Sequence, residues 1–245
     1  MKSCSYWMII PITVSVLAAV GFIVVYELAL VNKKICRIDS FEKKRMCKLR
    51  PPFISVAGDS PPESCIFSQI MNMTAFLVTI IGVLRYSQLK VKVKQPWLNI
   101  LGLISTFLSS FGMTLVANFQ LSNNTVTHNV GALITFGFAI LTCWIQTSLT
   151  FEVKINKEAR FLGIIRFLLS AVITLTFIVY LVLAAQRSFF SSAKTQWALA
   201  LCVLFYLGTF ALDFRYYDFE VLAREKYPRK FELRQKATDV SVSIR

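Results

Sequence analysis

Six stretches of the chain are apolar enough and long enough to cross a bilayer, and the polar residues lie mainly between them. They run approximately Trp7 to Val31, Cys65 to Leu84, Trp97 to Phe119, Val130 to Phe151, Phe167 to Ala185 and Trp197 to Leu212. A hydrocarbon core of about 30 Å requires about 20 mostly apolar helical residues, because lipid offers backbone N–H and C=O groups no partners. The pattern predicts an all-α, polytopic bundle of six transmembrane helices over residues 1–212, with a non-cytoplasmic loop at 32–64 and a basic tail at 213–245. The sixth run is short and is expected to borrow its flanks. The first run exceeds the core of a signal peptide, and no small-x-small cleavage site follows it, so it reads as a retained span. Pro11 and Pro96 sit near helix starts, where a missing N–H costs little. Ser60-Pro61-Pro62-Glu63 reads as a capping box that starts the second helix.

Composition agrees, with 56% hydrophobic residues against 16% charged. A disordered chain is excluded and a soluble domain disfavoured. The net charge of +14 would suggest nucleic acid in a soluble protein; here basic loops on a membrane protein account for it, and no nucleic acid partner is expected. With six spans both termini share one side, and that side carries 17 basic residues against 10 on the other, which predicts cytoplasmic termini. Eight of the ten lie in the first loop, at Lys33, Lys34, Arg37, Lys43, Lys44, Arg45, Lys48 and Arg50, and oppose the rule locally. Cysteines push that loop outward all the same, since Cys36, Cys47 and Cys65 cluster as a disulfide-bearing lumenal or extracellular loop would. Of their three possible pairings Cys36 with Cys47, close in sequence, is favoured. Asn123 in Asn123-Asn124-Thr125 is a glycosylation candidate on the same face. Cys143 and Cys202 read as buried apolar residues.

Chemistry within the spans is sparse. Glu27 and Arg166 approach span ends, where the expectation is that they reach the interface; neither a voltage-sensing arginine series nor a chain of carboxylates is visible. His128 is the only histidine, so a His-rich zinc site is not supported, and no P-loop, Gly-x-Ser-x-Gly or His-Glu-x-x-His pattern occurs. An enzyme is therefore not expected, nor any metal or cofactor. The spans do carry stripes of small and polar residues at helical spacing: Ser68, Asn72, Ala75, Thr79, Gly82 and Tyr86 in the second, and Gly131, Thr135, Ala139, Thr142, Gln146 and Thr150 in the fourth. Gly102, Ser105, Thr106, Ser109, Gly112 and Asn118 add a broader face in the third. Helix packing is the first reading of these faces and a polar pathway the second. In the tail, Arg224, Lys226, Arg229, Lys230, Arg234 and Lys236 follow the aromatics Phe214, Tyr216, Tyr217 and Phe219, an arrangement suited to anionic lipid.

Several motifs together resemble a known family. Pro52-Phe53-Ile54-Ser55, Gly58, Pro61-Pro62, Ser64-Cys65, Phe67, Asn72, Ala117-Asn118-Phe119-Gln120, His128 and Gly131 look like the Frag1/DRAM/Sfk1 family, which includes the damage-regulated autophagy modulators. Phe67 to Met73, Trp97 to Ile100, Ser110 to Leu115 and Leu141 to Gln146 look most like its tentonin branch. The resemblance implies six spans with cytoplasmic termini. For tentonins it implies a component or modulator of a mechanically activated, slowly inactivating cation channel at the plasma membrane. For other branches it implies modulation of autophagy at endosomal or lysosomal membranes, or an adaptor for plasma-membrane phosphoinositide metabolism. Expected partners are membrane lipids, anionic headgroups among them, and another ion channel or a second copy of the chain.

Overall fold

The computed structural model describes residues 5–39, 50–153 and 159–220. After a 3-10 turn at Tyr6–Met8, the helices are α1 (Ile9–Val31), α2 (Ile54–Ala57), α3 (Glu63–Leu89), α4 (Pro96–Asn118), α5 (Thr125–Val153), α6 (Ala159–Ala185), α7 (Phe189–Gly208) and α8 (Phe210–Phe214). Six helical stretches meet the length and apolarity needed to span a membrane: α1 with its leading turn, α3, α4, α5, α6, and α7 continued by α8.

Observed helices outrun the apolar runs in several places. α6 begins at Ala159, eight residues before the predicted start, and α7 begins at Phe189, again eight residues early. Polar residues such as Arg166 and Gln196 interrupt the apolar runs, yet they lie inside helices and are buried, so hydropathy alone ends the spans too soon. The bundle also continues past Leu212. Phe214 is fully buried, Trp7 meets Phe219 edge-on at 5.5 Å, and Ser5 bonds Asp218 at 2.7 Å. Both ends of the described chain therefore meet at one end of the bundle, here called the termini end.

The spans pack in chain order, α1 on α3, α3 on α4, α4 on α5, α5 on α6 and α6 on α7, and α7 closes on α1. Each helix turns small or apolar residues inward. In α1 these are Pro11, Val14, Ala18, Gly21, Phe22, Val25 and Ala29, at steps of three and four, while Ile9, Ile12, Val16, Val20 and Ile23 stay exposed on the other face. The closest approach is between α4 and α5. A Cβ on Gly112 would stand 2.6 Å from the Thr135 backbone nitrogen, and one on Gly131 would stand 2.7 Å from Leu115 Cβ. Glycine is required at both positions because neither neighbour can move cheaply.

At the opposite end, α1 and α6 finish alike. Lys33 (φ 55°) and Arg187 (φ 59°) are left-handed, and the next amide bonds back to the helix, Lys34 N to Ala29 O and Ser188 N to Leu183 O, both at 2.9 Å. The described residues of the first loop fold over this end. Gln196 Oε1 accepts the Ile54 amide at 2.9 Å, Trp197 Nε1 donates to Pro52 O at 2.9 Å, and the Tyr26 hydroxyl accepts the Ile38 amide at 2.9 Å. The capping box is not formed. Pro62 occupies the N-cap position without a side-chain cap. Glu63 is fully buried instead, accepting from Asn32 Nδ2 at 2.7 Å and pairing with Lys34, so its carboxylate ties the end of α1 to the start of α3.

Candidate functional site

A cavity of about 150 Å³ runs inside the ring of helices, lined from α1 through α8. At the loop-one end its wall holds Ile54, Ser55, Phe67, His128 and Gln196; at the termini end it holds Gly82, Arg85, Gln146, Tyr206 and Phe210. Between them the wall is mainly apolar, with Met71, Val78, Met113, Phe136, Leu204 and Leu207. His128 donates from Nδ1 to Phe119 O at 2.7 Å, which ties the first turn of α5 to the end of α4.

At the termini end three charged residues, Arg85, Arg166 and Asp213, are withdrawn from solvent, at 1%, 0% and 2% exposure. Asp213 Oδ2 lies 2.5 Å from Arg166 Nη2 and 3.4 Å from Arg85 Nη1. Arg166 also donates from Nε to Thr209 Oγ1 at 2.9 Å and from Nη1 to Thr150 Oγ1 at 2.7 Å. Arg85 donates from Nε to Gln146 Oε1 at 3.0 Å, from Nη1 to Gln88 Oε1 at 2.7 Å and from Nη2 to Thr150 Oγ1 at 3.3 Å. Gln88 in turn donates to the Asp213 carbonyl at 3.1 Å. The Phe210 ring stands under both guanidiniums, 4.6 Å from Arg166 and 5.6 Å from Arg85. One carboxylate thus serves two permanently charged groups, and among the described residues no other carboxylate pairs with either. The cluster carries one excess positive charge.

The sequence reading of these residues is corrected here. Arg166 does not reach the interface; it is fully buried and bonded within the bundle. Arg85 follows directly on the predicted second span, which ends at Leu84 and would leave it in the next loop, but α3 continues to Leu89 and holds it inside the helix. Packing prevails because the two guanidiniums find between them a carboxylate, two hydroxyls and two amide oxygens inside the bundle, partners that lipid cannot supply. Glu27 differs, being exposed at the end of the outward face of α1.

The stripe Ser68, Asn72, Thr79, Gly82 and Tyr86 faces α4: Asn72 bonds Asn118 at 3.0 Å, Asn99 reaches Tyr86 O at 2.9 Å, and a Cβ on Gly82 would meet Thr106 at 2.8 Å. Only Gly82 of those five also lines the cavity. The α5 stripe does both, for Thr135, Ala139, Thr142 and Gln146 line the cavity while Ser105 bonds Thr142 at 2.8 Å and Ser109 bonds Thr135 O at 2.9 Å. Of the family-motif residues, Pro52, Ser55, Gly58, Phe67, Asn118, Phe119, His128 and Gly131 gather at the loop-one end, where a Cβ on Gly58 would press on Phe67 at 2.5 Å. Cys65 is an exposed free thiol, Cys143 is buried and Cys202 half-buried. Cys36 is disulfide-bonded, and Cys47 lies outside the described residues, as do Arg224, Lys226, Arg229, Lys230, Arg234 and Lys236. Asn123 is exposed in the turn between α4 and α5. Among the described residues no three His, Cys, Asp or Glu side chains gather to hold a metal.

The charge cluster is what sequence reasoning missed. Its members are far apart along the chain, but each carries a faint signal: a single charge set among apolar neighbours, as in Phe210-Ala211-Leu212-Asp213-Phe214.

A family model described as the Frag1/DRAM/Sfk1/Cwh43P N-terminal domain matches residues 6–217. Modulator of macroautophagy TMEM150B-B of Xenopus laevis is 33% identical over 212 residues, covering 86% of this chain and 87% of the relative. Modulator of macroautophagy TMEM150B of Xenopus tropicalis is 32% identical over 230 residues, covering 93% and 96%. Transmembrane protein 150A of Homo sapiens is 27% identical over 226 residues, covering 85% and 83%. No solved structure is a match.

Proposed function

This chain belongs to the Frag1/DRAM/Sfk1/Cwh43P N-terminal domain family, and from that premise we propose that it is a non-enzymatic, multi-pass modulator of macroautophagy acting at endolysosomal membranes. The observation that carries this reading is similarity along nearly the whole length to relatives named as modulators of macroautophagy. The cavity fits a role in binding or scaffolding, since its wall is largely apolar and most of its lining hydroxyls already bond within the bundle. In the proposed topology both termini face the cytoplasm, the first loop and Asn123 face the lumen, and Cys36 pairs with Cys47.

A mechanically activated cation channel, as the tentonin resemblance implies, is the weaker reading. Cation pores commonly present acidic rings, whereas the charged residue lining this cavity is Arg85, and no Asp or Glu joins it among the described residues.

The test is autophagic flux in cultured cells, measured as the turnover of the lipidated autophagosome marker that a lysosomal inhibitor blocks. Removing the protein is expected to change flux under starvation, and restoring the full chain to reverse the change. Flux that ignores both loss and overproduction, with stretch-evoked current lost on removal, would overturn the proposal in favour of the channel reading.

A further inference from the structure

We propose that the central cavity binds one single-chain amphiphile whose anionic head, a carboxylate or a phosphate, sits against Arg85. This goes beyond the autophagy reading and does not depend on it.

The first argument is charge. Arg85 and Arg166 share Asp213, leaving one positive charge without a counterpart in a buried site walled by Tyr206 and Phe210. A buried charge without a partner is costly in an apolar surrounding, and an anion beside the cluster removes that cost. Position on the cavity wall then identifies which arginine receives it, and Arg85 keeps a donor for it. Arg166 is fully buried, spends Nε, Nη1 and Nη2 on Thr209, Thr150 and Asp213 at 2.9 Å or less, and does not line the cavity. Arg85 does line it. Two of its four partners are held loosely, Asp213 at 3.4 Å and Thr150 at 3.3 Å, and four partners leave one of five N–H groups unassigned.

The second argument is shape. On α3 the lining runs from Phe67 to Arg85, about 27 Å at the helical rise of about 1.5 Å per residue. The space open to the centres of water-sized spheres is about 150 Å³, and drawn out over that length it makes a channel about one alkyl chain wide. It suits one alkyl chain and is too slender for the paired chains of a diacyl lipid or for fused rings. Apolar walls for the chain and a guanidinium at one end specify a molecule apolar along its length with an oxyanion at its tip.

The full chain, purified in detergent and stripped of co-purifying lipid, is titrated with oleate, oleoyl lysophosphatidic acid, oleyl alcohol and dioleoyl phosphatidic acid, and retained molecules are counted by native mass spectrometry. The wild-type chain is expected to retain one equivalent of oleate, of lysophosphatidic acid or of both, and to bind oleyl alcohol at least about tenfold more weakly. Retention of only one of the two anions identifies the head. Arg85→Gln should erase the preference for the anion over the alcohol. Ala139→Phe fills the channel at a lining position two helical turns from Gln146 and should abolish retention of every single-chain ligand. Should Arg85→Gln fail to fold, the wild-type preference and Ala139→Phe decide. The proposal is overturned by equal retention of oleate and oleyl alcohol, by tighter binding of dioleoyl phosphatidic acid, by retention insensitive to Ala139→Phe, or by no retention at all.

Discussion

Asp213 is the residue on which the termini end of the bundle turns. Removing its charge leaves two guanidiniums buried side by side, and breaking a buried pair in this way costs about 3 to 5 kcal/mol. Asp213→Asn is therefore expected to be strongly destabilising. Arg85→Gln should cost less, because it leaves Arg166 and Asp213 as a matched pair at 2.5 Å. Thermal unfolding of the purified variants checks the order, and an Arg85→Gln loss larger than that of Asp213→Asn would mean that the hydrogen bonds to Gln146 and Gln88 matter more than charge balance.

Between helices, the decisive quantity is the distance between backbones. α4 and α5 approach so closely that Gly112→Ala and Gly131→Ala each drive a methyl group into backbone or Cβ atoms, and overpacking of this kind costs about 1 to 3 kcal/mol. Gly82→Ala meets the tip of Thr106 and should cost less, while Gly137 has nothing within 4 Å of an added Cβ. Gly137→Ala is expected to be neutral or to stabilise by up to about 1 kcal/mol through helix propensity. Melting temperatures of the four variants should rank in that order. Ala139→Leu belongs to a different class from Gly112→Ala, since Ala139 faces the cavity and a larger side chain there fills space.

For the whole molecule, the ring of helices fixes which ends lie together, and the membrane orients the ring. Arg85 and Arg166 no longer count toward the basic side, since both are buried, yet 15 basic residues remain on the termini side against 10 on the other. Both termini are thus expected in the cytoplasm, and epitope tags at either end should be reachable only after permeabilisation. Labelling on intact cells, with vesicular delivery to the surface verified, would invert the topology and with it the lumenal placement of Asn123.

The sequence by itself determined that this chain crosses a membrane six times, because burial of backbone in lipid demands long apolar runs and such runs are local in sequence. It also set which small and polar residues of α3 and α5 share a helix face, since residues at steps of three and four fall on one side wherever the helix ends up. Tertiary structure alone decided the rest. Arg85, Arg166 and Asp213 lie on three helices, and each reads locally as a charge near a span end; only the closing of the ring sets two cations on one carboxylate. Glu63 likewise reads as a capping residue until α1 brings Asn32 and Lys34 to it. The cavity was illegible for the same reason, because it is space left between six helices and belongs to the residues of none of them alone.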